Sequence, residues 1–434
     1  MRLGKVILAA GCSAALVGVS LVGTQATAGG LAVREQSSQF QGSSFAGAAA
    51  GGGLSSAFWN SAAIGEAGKG MQTENHAALI FGETDYTSLA GTGSSVPVGP
   101  SGVVAGDSVT NDRIALVPSS YMSYRLNDKT VLGMAINAPF GLGNELDDDN
   151  SAFAIHHRSA KLFTLNANPM MSYEVMKGVY LGVGVQVQYA SLSFKTAGGI
   201  STSAATGVLD GDDIGFGFTA GVLLKPAPGT SIGIGFRSAI EHEIEGDQFI
   251  AGSGPKNKFT LDVDTPELVT LSIRQALSPN LRVLGTVEWQ NWDHLDVHPI
   301  IVSGAPIGSF DFQWDNGWFF SLGAEYDYSP SLTLRGGIAY EISPIQDPSQ
   351  RLPQVPDSDR VWLSFGGTYK YSEMMSFDFA YTHIFFDDAT LDREPATDQL
   401  KIFSLVADTE SKADIFTASV KIKWGEGGVL GLFQ

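Results

Sequence analysis

Cysteine is almost missing from this 434-residue chain, which carries only Cys12. Intrachain disulfides are excluded, since a bridge needs two thiols. Cations are scarce too, with 26 Lys and Arg against 45 Asp and Glu and a formal net charge of −19. A nucleic-acid partner is excluded on that ground, because phosphates would be repelled and no Lys/Arg cluster stands out. Charge of either sign makes up only 16 % of the chain, and past the first thirty residues there is no long uncharged apolar run. A spanning helix needs about 18 to 20 such residues, so a helical membrane protein is excluded. Also missing are a GxSxG elbow, a P-loop and a dinucleotide fingerprint.

What is present begins with an export signal. Arg2 and Lys5 precede an apolar stretch from Val6 to Val22, and Ala26-Thr27-Ala28 offers an A-x-A cleavage site. Residues 1–28 are therefore expected to be a signal peptide, and their removal takes the charge from −19 to −21. Cys12 follows Gly11 as in a lipoprotein, but Ala9 replaces the usual aliphatic residue and the apolar run continues beyond it.

From residue 74 onward, segments with period-2 apolar patterning alternate with polar connections. Val179, Leu181, Val183, Val185, Val187 and Tyr189 share one face of a strand, and Gly182, Gly184, Gln186 and Gln188 share the other. Repetition of such segments at lengths of about 9 to 11 residues or more is the pattern of strands that cross a membrane. Roughly fourteen strands follow, an even number as single-chain bacterial barrels require. Turns such as Asn127-Asp128, Met176-Lys177 and Ser329-Pro330 alternate with long links such as Leu89 to Asp112, Asp293 to Asp315 and Asp387 to Glu410. Short periplasmic turns and long extracellular loops give this sorting by parity. The acidic runs Asp147-Asp148-Asp149 and Asp210-Gly211-Asp212-Asp213 read as solvated loops. Aromatics near strand ends, among them Trp289, Trp292, Trp314, Trp318, Tyr326, Tyr369 and Trp424, suit interfacial girdles.

The stretch from Gly29 to Gly70 has no alternation and is rich in small residues, with Phe58-Trp59-Asn60 embedded in it. It suits a plug of about forty residues inside a lumen that would otherwise leak. The expected organisation is thus a signal peptide at 1–28, a plug at 29–70 and an all-β transmembrane antiparallel barrel at 71–434.

Several motifs then resemble the FadL/TodX family of outer-membrane transporters for long-chain fatty acids and aromatic hydrocarbons. They are Ala135-Ile136-Asn137-Ala138-Pro139-Phe140-Gly141-Leu142, Leu165-Asn166-Ala167-Asn168-Pro169, Gly235-Phe236-Arg237-Ser238, Glu288-Trp289-Gln290-Asn291-Trp292, Pro356-Asp357-Ser358-Asp359-Arg360-Val361-Trp362 and Tyr381-Thr382-His383-Ile384-Phe385. The resemblance runs over the whole mature chain. It implies fourteen strands, an N-terminal hatch, and a kinked third strand at Asn137, Ala138, Pro139, Phe140 and Gly141 that opens the wall sideways. Pro139 supports the kink, since proline cannot donate to a ladder, although a plain strand-end proline reads the same way. Asn60-Ser61-Ala62 sits where the family's hatch carries Asn-Pro-Ala, with Ser61 at the proline.

A fatty-acid carboxylate needs a cation or donor cluster in an apolar pocket. Lys195 resembles the family's basic ligand contact, and Arg158 lies just before the fourth strand; contact with lipopolysaccharide or solvent is the alternative for both. Asp293, His294 and His298 could form an acid-base group, but such a group marks no reaction class. His156 and His157, as neighbours on a strand, would face opposite ways and make a poor metal pair. No catalytic residue, metal or cofactor is assigned. The expected partners are fatty acids or other hydrophobic molecules, outer-membrane lipid and lipopolysaccharide, and the barrel-assembly machinery acting on a monomer in the outer membrane. Uptake of aromatic or alkane hydrocarbons, or a general porin for polar solutes, remains open.

Overall fold

The computed structural model describes residues 30–89, 108–147, 151–199, 204–393 and 405–425. The signal peptide with Cys12, the rest of the acidic run after Asp147, and the terminal Phe433-Gln434 lie outside them. Twenty strands form one sheet that closes on itself as a fourteen-span antiparallel barrel.

The first two spans are β1 (Met71–Ser88) and β2 (Ser108–Arg125). The third is split into β3 (Thr130–Asn137) and β4 (Gly141–Glu145). Single strands β5 (Ser159–Met176), β6 (Val179–Ala197) and β7 (Thr206–Ala227) follow. The next four spans are stepped pairs: β8 (Thr230–Arg237) with β9 (Ile240–Ile250), β10 (Ser253–Thr265) with β11 (Glu267–Ala276), β12 (Leu281–Asn291) with β13 (Val297–Val302), and β14 (Ala305–Asp311) with β15 (Gly317–Ser329). The ring is completed by β16 (Leu332–Ile342), β17 (Arg360–Lys370), β18 (Met375–Phe386) with β19 (Ala389–Arg393), and β20 (Leu405–Gly425), which pairs with β1.

Alternation settles which face meets lipid. On β6, Val183 and Val185 are 56 % and 53 % exposed, while Gln186 and Gln188 are fully covered. The apolar face points outward and the glycine and glutamine face points into the lumen, the reverse of a soluble sandwich.

Three expectations are corrected. The acidic run at 210–213 is not a loop but lies in β7, because its register pairs it with β6 and β9. Asp210 and Asp212 share the outward parity of Ile214 and Phe216, and on a strand end beyond the membrane such carboxylates stay hydrated. Part of the expected loop at 293–315 is the hairpin of β13 and β14. Trp292 and Trp314 are no interfacial ornaments: both are buried, edge-to-face with each other at 5.5 Å. Trp318, Tyr326, Tyr328, Tyr369 and Tyr371 do face outward.

Residues 30–70 run inside the ring. They form a short helix α1 (Ser38–Gln41), capped by Ser37, and two 3-10 turns, Leu54–Phe58 and Ser61–Glu66. Wall glycines make the seat for this segment. A Cβ on Gly182 would lie 2.1 Å from Ala62 N, and one on Gly235 only 1.7 Å from Trp59 O. Phe45, at φ +61°, packs edge-on to Trp362 at 5.9 Å and to Phe319 at 6.3 Å, so one core joins the inner segment and the wall.

Candidate functional site: an interrupted wall and the segment behind it

The third span breaks where Pro139 removes a ladder donor. The ladder between β2 and β3 ends at Ser120 opposite Ile136, and β4 pairs only with β5 among the described residues. Residues 112–119 of β2 are left with β1 on one side and no ladder on the other. Above this gap Asn111 Oδ1 accepts from Glu145 N at 3.3 Å, and Arg113 meets the Glu145 carboxylate at 3.4 Å. The continuous strand that the pattern suggests from Thr130 to Leu142 is therefore two strands, and the kink residues Asn137, Ala138, Pro139, Phe140 and Gly141 are where they part.

The chain's own leading residues cover the break from inside. Val33 N donates to Pro139 O at 2.8 Å, Gly141 N to Leu31 O at 2.9 Å, and Ala32 bridges to Phe140. Gln36 ties both edges together: Nε2 donates to Ala138 O at 2.8 Å, while its carbonyl accepts from Ser119 Oγ and Tyr121 OH, both at 2.8 Å. A carbonyl freed by a kink must find another donor, and here the inner segment supplies it.

The same segment is pinned to the opposite wall. Arg34 spans Glu288 at 2.8 Å and Glu341 at 3.2 Å, with its guanidinium 3.7 Å over the Phe319 ring. Glu341 also accepts from Trp362 Nε1 at 3.0 Å and faces Arg360. Gly30 N donates to Asp357 at 3.0 Å. Beside Arg34, the Glu35 carboxyl is buried, and burial pushes its pKa up to about 7, against the opposing pull of Arg34.

Above the segment the lumen turns apolar. Phe194, Leu209, Ile244, Phe259, Leu261 and Ile300 form one buried body. It shares Leu142, Leu192 and Phe310 with a second that contains Leu31, Phe140 and Trp292. Apolar matter thus runs continuously from the outer end of the lumen to the covered gap.

Asn60 caps the second 3-10 turn, accepting from Ala62 N at 3.0 Å, and its amide donates to Ala49 O at 2.8 Å and Val222 O at 3.0 Å. Ser61 occupies the first position of that turn, where proline is favoured, so the cap carries the geometry that the absent proline would have supported. Lys195 shares the outward parity of Val187 and Tyr189, opposite Phe194, and so points away from the lumen. Arg158 is buried and donates to Thr206 Oγ1 at 2.6 Å and Ala204 O at 3.0 Å, clamping the base of an outer loop. The Asp-His group is not assembled among the described residues: His294 meets Glu267 at 3.3 Å, and His298 packs edge-on to Phe312. His157 bonds Asn144 at 2.8 Å, and burial pushes its pKa down to about 3.

Arg34, Glu288 and Glu341 escaped sequence reasoning. The signal available was parity, since Glu288 and Glu341 stand at lumen-facing positions of lipid-facing strands, but which partner they meet depends on a segment far away in sequence.

The sequence matches the model of the family described as Outer membrane protein transport protein (OMPP1/FadL/TodX) over residues 19–424. Outer membrane protein P1 of Haemophilus influenzae is 27 % identical over 347 residues, covering 71 % of this chain and 72 % of that one. The long-chain fatty acid transport protein of Escherichia coli O6:H1 is 25 % identical over 411 residues, covering 84 % and 89 %. The crystal structure of a Pseudomonas aeruginosa FadL homologue superposes with a TM-score of 0.81 at 21 % identity, over 91 % of this chain and 99 % of that one. The barrel agrees with that fold over nearly the whole length, and the chain belongs to the OMPP1/FadL/TodX family of outer-membrane transport proteins, which are passive channels and not enzymes.

Proposed function

We infer that this barrel admits long-chain fatty acids and releases them sideways, through the gap between β2 and β4, with residues 29–70 acting as the plug. The observation that carries this reading is the interrupted ladder at Asn137 to Gly141, covered from inside by Leu31 to Gln36 of the same chain. A hydrophobic molecule that leaves through the wall passes from apolar lumen to membrane without entering water, which its transfer free energy favours. The E. coli relative named as a long-chain fatty acid transport protein supports the substrate class. No energy source is needed beyond the concentration gradient and partition into lipid.

The test is removal of Pro139 alone. Between the pairs Asn137 with Asn166 and Gly141 with Phe163 this strand has one residue more than β5, so deleting one residue evens the register, keeps every side chain on its face and lets β4 run on from β3 beside β2. Uptake of palmitate by cells carrying the deletion should fall to the level of cells lacking the protein, with the barrel still inserted. Undiminished uptake would overturn release through the wall, and equal uptake with and without the wild-type protein would overturn transport of fatty acids.

A further inference from the structure

Among the described residues, one buried cation of the lumen, Arg237, has no carboxylate at ion-pair distance. Arg237 ends β8 and is 4 % exposed. Among the described residues its guanidinium holds only neutral oxygens: Nη1 donates to Gln186 Oε1 and Nη2 to Phe58 O at 3.2 Å, while Nε, also buried, has no acceptor. Its Cζ stands 4.5 Å over the Phe58 ring. Three other arginines that face the lumen are built differently: Arg34 meets Glu288 and Glu341, Arg335 meets Glu325 at 2.7 Å, and Arg360 meets Asp357. A buried charge without an opposite charge is costly to keep, and a carboxylate takes a guanidinium with two matched bonds.

The surroundings grade from polar to apolar. Gln186 Oε1 also accepts from Asn166 Nδ2 at 3.2 Å, Asn166 reaches Gln188 at 3.3 Å, and Gln188 reaches His242 at 3.0 Å. These amides form a neutral polar layer beside Arg237. Farther along the same inward face of β6 come Ala190, Leu192 and Phe194, which join Ile244, Phe259 and Leu261. From Gln186 to Phe194 the strand rises about 27 Å at roughly 3.4 Å per residue, a reach suited to a long acyl chain rather than a single ring. The neighbouring carboxylates are engaged elsewhere, Asp213 with His242 at 3.0 Å and Glu288 with Arg34.

We propose that Arg237 is the head-group site for an ionised fatty-acid carboxylate, whose chain lies along the inward faces of β6, β9 and β10. The Gln186 amide oxygen occupies the guanidinium in the ligand's place, and the carboxylate displaces it. This assignment rests on the fatty-acid reading above. Because Nη2 also holds the Phe58 carbonyl, the head group lands on a residue that seats the plug.

Binding of palmitate and of hexadecanol, which differ only at the head, tests it in full-length protein reconstituted in nanodiscs. Arg237→Met should weaken palmitate binding by roughly tenfold or more, the loss of a charge-assisted bond, and leave hexadecanol within about twofold of wild type. Arg237→Lys should restore much of the palmitate affinity. Equal palmitate affinity in Arg237→Met and wild type overturns the site. A parallel loss of both ligands also overturns it, showing that Arg237 only supports the fold. Wild-type protein that binds neither ligand would instead sink the fatty-acid reading on which the site rests.

Discussion

Arg34 reaches across the lumen to Glu288 at 2.8 Å, with both side chains almost wholly covered. The residues on either side of Arg34 close the wall at Pro139, so one short segment is held at two opposite points of the barrel. Neither hold alone spans the lumen.

Replacing Arg34 with Met strips Glu288 and Glu341 of their shared cation. Removing one partner of a buried pair costs about 3–5 kcal/mol. That cost is expected to fall on the seating of residues 30–70 rather than on the ladder of the barrel. The expected outcome in planar bilayers is frequent large openings where wild type is closed, with unchanged thermal unfolding of the barrel. Adding Glu288→Gln and Glu341→Gln should return the closed state in part.

Gly182→Ala tests the seat. The added Cβ would lie 2.1 Å from Ala62 N and 2.5 Å from Ala62 Cα, both backbone atoms that cannot swing aside. Overpacking of this kind costs typically about 1–3 kcal/mol. Protease cleavage within residues 50–66 should become faster than in wild type, while Gly336→Ala, whose nearest neighbours lie at 3.9 Å, should change nothing.

Glu35 is expected to make the seating of residues 30–70 depend on pH. Its carboxyl is held near pKa 7 when buried, against an ordinary value of 4.5, so the seated plug keeps a proton that the released plug gives up between these values. A raised carboxyl pKa means that seating weakens as pH rises through that window and levels off above about 7. The slope is at most about 1.4 kcal/mol per pH unit. Open probability in bilayers should rise from pH 5 to pH 7.5 in wild type and stay flat in Glu35→Gln. A flat wild-type profile would remove Glu35 as the titrating group.

Lys195→Gln should leave palmitate binding within about twofold of wild type, the range of a surface substitution of about ±0.5 kcal/mol. Its side chain shares the outward face with Tyr189. A tenfold loss would place it back at the ligand.

Much of this was legible from residue order. The strands near Glu74 to Ser88 and Lys161 to Val175 fall inside β1 and β5, and Arg113 to Leu126 overruns β2 by one residue, because lipid on one side and lumen on the other impose period 2 on every span. Pro139 marked the break because a missing N–H is a local property. Strand ends were harder: beyond the membrane the outward face meets water, so Asp210 and Asp212 continue β7 while reading as loop.

Sequence by itself determined the barrel, the side on which each strand residue lies, and the place where the wall parts, since each depends on neighbours one or two positions away. Only the tertiary structure decided what stands behind that break and which charges meet. The Arg34 pair with Glu288 joins positions 254 residues apart, and Arg237 meets Gln186 and Phe58, which come to it from two other parts of the chain. Pairings of that range depend on how the ring closes around the inner segment, which no local pattern encodes.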